Sequence, residues 1–130
     1  MSVPPDWSFD EDEELVTLEP PGRRAAVQLS SRRRAGPGRP AESGEAAGLV
    51  IDAAGGRGRR IEPDEHRTND VLAASATYEE GSDAGTRWWF VGVKVSPIRM
   101  VLFTYNDDTT ETALRDTASA MFEGVHISAS

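Results

Sequence analysis

Two neighbouring stretches of the chain constrain its fold more than anything else. They are Thr86-Arg-Trp-Trp-Phe-Val-Gly-Val-Lys-Val95 and Arg99-Met-Val-Leu-Phe-Thr-Tyr105. Both are dense in β-branched and aromatic residues, which suit a pleated, half-buried surface. They are joined through Ser96-Pro-Ile-Arg, a link short enough for an antiparallel hairpin. Successive strand residues face opposite ways, so Trp89, Val91, Val93 and Val95 share one face. Trp88 and Phe90 share the other, ahead of Gly92 and Lys94. Both faces begin apolar, which predicts a hairpin at the centre of a sheet, covered on both sides at one end.

Around that hairpin the chain offers further elements. Leu15-Val-Thr-Leu18 and Ala25-Ala-Val-Gln-Leu29 alternate across the turn signal Pro20-Pro21-Gly22, predicting an opening hairpin. Val71 to Tyr78 reads as another strand, followed by a turn over Glu80 to Gly85. Pro40 to Ala54 reads as a helix. Pro40 suits its first turn, Ala46, Leu49, Val50 and Ala53 form its apolar stripe, and Gly55-Gly56 follow its end. Near the C-terminus, Leu114, Ala118, Met121, Phe122 and Val125 fall on one face of a second helix. Asp108 is its candidate N-cap and Glu111 completes a capping-box pattern. The expected fold is α+β: a central antiparallel sheet of five to six strands with two or more helices packed on it. Residues 1–130 form a single domain, a length near the commonest domain size, with 31–45 and 55–70 as flexible loops.

Charge narrows the function classes. With 14 basic and 22 acidic residues the net charge is −8, a field that repels nucleic acid and anionic membrane and favours a basic partner. The run Arg32-Arg-Arg34 has no aromatic residue beside it for base stacking, so it reads as a solvated loop paired with the acidic run Asp10 to Glu14. The absence of cysteine rules out disulfides and thiolate chemistry. Neither a signal-peptide pattern nor an apolar run of about 20 residues is present, so a cytoplasmic location is expected.

Catalytic patterns are sparse. The sequence contains no phosphate-binding loop, dinucleotide fingerprint or His-Glu-x-x-His. Only two histidines occur, His66 and His126. Asp64-Glu65-His66 is where a proton could be transferred or a metal held, and a small hydrolase using His66 with Asp64 or Glu65 is the enzymatic alternative. The expectation is a non-enzymatic protein-binding or adaptor module, working beside a bacterial secretion system, with no cofactor and no metal. An immunity- or chaperone-type protein that neutralises a basic toxin is the alternative within binding proteins. The candidate contact residues are Trp7, Phe9, Asp10, Glu11, Asp12, Glu13, Glu14 and Trp88. Here carboxylates would steer a basic protein partner and aromatics would anchor it.

One resemblance accompanies this reading. The order Trp7, Leu15-Val-Thr-Leu-Glu-Pro-Pro-Gly22, a second strand, a helix, Arg87-Trp-Trp-Phe-Val91, Val101-Leu-Phe-Thr-Tyr-Asn106 and a closing amphipathic helix resembles the PsbP-like family. That family includes the extrinsic PsbP subunit of photosystem II, a nuclear Ran-binding relative and DcrB-like bacterial proteins. The resemblance implies an antiparallel sheet with helices packed against it and action by binding. It carries over no catalytic residues.

Overall fold

The fold is taken from a computed structural model that describes residues 4–11, 15–22, 24–34, 39–54, 61–82, 85–109 and 112–125. Seven strands form one antiparallel sheet. They are β1 (Ser8–Glu11), β2 (Leu15–Glu19), β3 (Ala25–Arg33), β4 (Asp64–Thr68), β5 (Val71–Ser82), β6 (Gly85–Val95) and β7 (Arg99–Asp107). Their spatial order is β1-β2-β3-β7-β6-β5-β4. Helix α1 (Glu45–Ala53) lies on one face of the sheet and helix α2 (Ala113–Glu123) on the other. The expected α+β architecture is therefore present. Six strands run to five residues or more, and β1 adds a four-residue edge.

The predicted central hairpin is β6–β7, with Phe90 opposite Tyr105 and Val93 opposite Leu102. Its alternation divides the core in two. On the α2 face, Phe90, Phe103 and Tyr105 join Leu18, Val27, Trp7, Ala118, Met121 and Phe122. On the α1 face, Val91, Val93 and Val95 join Leu72, Ala74, Ala46 and Val50. Phe90, Phe103 and Phe122 pack with ring centroids 5.5 to 5.9 Å apart, mostly edge to face, as the ring quadrupoles prefer.

Several boundaries differ from expectation. Residues 31–33 are the end of β3, paired with Arg99 to Val101, and 64–68 are strand β4, paired with β5. Polar sequence disguised both: β4 reads Asp-Glu-His-Arg-Thr and needs only one partner strand because it is an edge. Helix α1 starts at Glu45, not Pro40, and Gly44 occupies its N-cap with φ 90, a left-handed conformation that glycine adopts without strain. Helix α2 starts at Ala113 with Thr112 as N-cap and no side-chain cap bond, so Asp108 does not cap it. Glu111 lies outside the described residues.

Candidate functional site

Two charged clusters stand out, and they differ in what they leave free. The first sits under α2. Asp107 is fully buried, and its carboxylate accepts hydrogen bonds from Tyr105 OH at 3.0 Å, Thr109 N at 2.7 Å, Arg115 Nε at 2.9 Å and Arg115 NH2 at 3.0 Å. Burial alone would push this carboxyl up. The Arg115, Thr109 and Tyr105 hydrogen bonds, with the Arg115 charge, outweigh it and hold the group below the usual carboxylate range. Arg115 also lies 4.3 Å over the Trp88 ring, which meets Tyr105 edge-on. Every group in this cluster has a partner. Its job is to dock α2 on the sheet.

Lys94 performs a similar service at the other end of α2. Its Nζ donates to the carbonyl oxygens of Glu123 at 3.2 Å and Val125 at 3.0 Å, placing a cation where the helix dipole is negative. Burial lowers its pKa, with partial compensation from the Glu123 charge.

The second cluster is open. Helix α1 covers β4, β5 and β6, so its flank leaves a groove over the ends of β3, β7 and β6. The groove has a volume of about 420 Å³ and is lined by Arg32, Arg33, Arg34, Arg39, Glu45, Leu49, Val95 and Met100. That volume falls within the span of small-ligand clefts, roughly 300–1,000 Å³. Leu49, Val95 and Met100 make its apolar floor; Arg32, Arg34 and Arg39 make its charged rim.

Arg34 organises this rim. Its NH1 donates to Ser96 O at 3.0 Å and Arg39 O at 2.7 Å, and its NH2 donates to both Glu45 oxygens at 2.9 and 3.0 Å. The side chain is only 10% exposed, so this guanidinium is a fixed wall of the groove. Arg34 thus pairs with Glu45. Among the described residues, no carboxylate pairs with Arg32, Arg33 or Arg39, and Arg99 stands opposite Arg33 across the strand pair. Five of the chain's thirteen arginines therefore meet at one end of the sheet, in a chain whose net charge is −8.

The residues singled out from sequence lie elsewhere. Trp7 is 9% exposed and belongs to the α2-side core, which corrects its assignment as a surface anchor. The cause is the β1–β2 pairing, which folds Trp7 back over Leu18 and Val27. Asp10 and Glu11 lie on edge strand β1 with Phe9, while Asp12, Glu13 and Glu14 fall outside the described residues. Trp88 is half-buried beneath Arg115. Its neighbour Trp89 stacks on Tyr78 across the opposite face, centroids 6.1 Å apart, and its Nε1 is buried without a hydrogen-bond partner.

The Asp64-Glu65-His66 group is split by the pleat. Glu65 faces α1 and accepts hydrogen bonds from Gly44 N at 2.7 Å and Ala47 N at 3.0 Å, so its carboxylate caps the helix from a distant strand. His66 is exposed and pairs across the ladder with Ala73. His126 lies outside the described residues. Among the described residues no three or more His, Asp or Glu side chains converge as a metal site would require, and no helix is long and apolar enough to cross a membrane.

No protein-family model and no curated protein matches the chain. A crystal structure of a protein from Bacteroides thetaiotaomicron VPI-5482 is similar to it, with a TM-score of 0.56 at 8% identity. The match covers 88% of this chain and 40% of that one, so this chain spans well under half the length of its structural neighbour. At that identity the likeness concerns the path of the backbone.

Proposed function

We propose that this protein is a non-enzymatic protein-binding module whose contact surface is the arginine-rimmed groove beside α1. One observation carries the reading: Arg32 and Arg39, lacking carboxylate partners among the described residues, line a groove together with apolar side chains in a strongly acidic chain. Guanidinium forks recognise carboxylates with fixed geometry. The apolar floor supplies the contact area that charge alone lacks. A contact centred on Trp7 and the acidic run is less well supported, because the aromatic that would anchor it is committed to the core. The PsbP-like resemblance agrees with action by binding, and a place beside a secretion system is part of the same proposal.

The test is residue-resolved. Hexanoate joins a carboxylate to an apolar chain, whereas acetate and hexanol each carry half of that chemistry. Titrated into isotope-labelled protein, hexanoate is expected to move the amide resonances of Arg32 to Arg34, Leu49 and Met100, with acetate and hexanol weaker. Shifts that are absent, or scattered over the surface, would overturn the groove as the contact surface.

A further inference from the structure

We infer that the groove's occupant is an acidic peptide segment of a partner protein, with an apolar side chain set between carboxylates. This rests on the binding reading above and specifies its chemistry. Three observations select that occupant. First, the cations come from separate stretches of chain: Arg32 lies on β3, where its register with Met100 sets it on the α1 face, and Arg39 lies beyond the strand. A segment with several carboxylates can engage both.

Second, Leu49, Val95 and Met100 line the same groove as the arginines. An occupant that fills it therefore presents apolar surface together with negative charge. Methionine adds a pliable, polarisable contact that suits varied side chains.

Third, the groove already contains the pairing it would offer a ligand. Glu45 sits on the Arg34 fork in two-point contact. That internal carboxylate satisfies the buried arginine and leaves the exposed ones for an incoming chain. Nucleic acid is the rival polyanion. No aromatic side chain lines the groove to stack a base, and the molecule as a whole repels a polyphosphate.

The experiment measures affinity by fluorescence anisotropy on the intact chain with a labelled Glu-Glu-Leu-Glu-Glu peptide. Three comparison probes complete it: the same peptide with glutamines for glutamates, the same peptide with serine for leucine, and a short oligothymidylate. The acidic leucine peptide should bind tightest, and each altered peptide should lose roughly tenfold or more in affinity. Binding should also weaken at high salt, as expected of partly exposed charge pairs. The double variant Arg32→Glu, Arg39→Glu should abolish binding at an unchanged melting temperature, since both side chains are exposed. Arg24→Glu, an exposed arginine at the opposite end of β3, should leave it intact. Equal binding of the glutamine or serine peptide would overturn the inference, as would tighter binding of the oligothymidylate. If hexanoate maps to the groove but the acidic peptide binds no better than its variants, the peptide assignment fails and the groove survives. If neither binds, both fail.

Discussion

Gly92 is the floor on which the Phe122 ring rests: a Cβ placed on Gly92 would lie 2.5 Å from Phe122 Cε1 and 2.7 Å from Cδ1. A side chain there would occupy the volume of the ring that holds α2 to the sheet. Gly92→Ala should destabilise the protein by about 1–3 kcal/mol through overpacking, and Phe122→Ala by about 3–5 kcal/mol through a cavity. Because Phe122→Ala vacates the contested space, the double variant should lose less than the sum, as a double-mutant cycle in urea would register. Strict additivity would mean the two residues do not share that volume.

Removing the Glu65 carboxylate uncaps α1. Glu65→Ala should cost about 1 kcal/mol, the usual value of a lost N-terminal cap, while the adjacent His66→Ala should stay within about 0.5 kcal/mol as an exposed edge substitution. Equal effects at the two positions would contradict the capping role.

The Asp107–Arg115 pair predicts a pH dependence with a definite sign. The folded-state pKa of Asp107 is depressed, so its contribution is fully present above the unfolded-state value of about 3.9 and is lost as pH falls through the folded value. Melting temperature should drop through that acidic window in the wild type and drop less in Asp107→Asn. Arg115→Met, which strands a buried carboxylate, should cost about 3–5 kcal/mol at neutral pH. A wild type and Asp107→Asn with the same acid slope would remove Asp107 from the account.

Trp7 separates core from contact. Its burial predicts that Trp7→Ala destabilises by about 3–5 kcal/mol. A tryptophan serving only as a surface anchor would leave thermal unfolding unchanged.

The parts of this fold legible in sequence are those where a residue's partner is implied by its own pattern. Trp88 to Tyr105 announced a central hairpin because alternating β-branched and aromatic residues demand cover on both faces, and Leu114 to Phe122 announced a helix by spacing alone. Strand β4 was hidden because an edge strand with both faces thinly covered needs no apolar alternation. The cap on α1 was hidden for a different reason: Gly44 and Glu65 are brought together by the sheet, not by any local signature such as the capping box read at Asp108. Asp107 and Asp108 are indistinguishable as letters, yet the first is the last residue of β7 and fully buried, while the second lies past the strand and is half-buried. The groove was the least legible feature. Its rim comes from β3 and from Arg34 and Arg39 beyond it, and its floor from α1, β6 and β7. The arginines read as a solvated loop because nothing in their own stretch supplies the apolar floor.

The strand order has a consequence for how the molecule comes into being. Strands β5, β6 and β7 follow one another as a meander, whereas β3 reaches β7 only by closing the loop from Arg33 to Arg99. Contacts of such long sequence separation carry the larger entropic cost and set the pace of folding. The groove straddles that seam, so no half of the chain can form it alone. A ligand seated there would fasten the slowest joint of the molecule, and its binding would register that the first third of the chain has been threaded onto the rest.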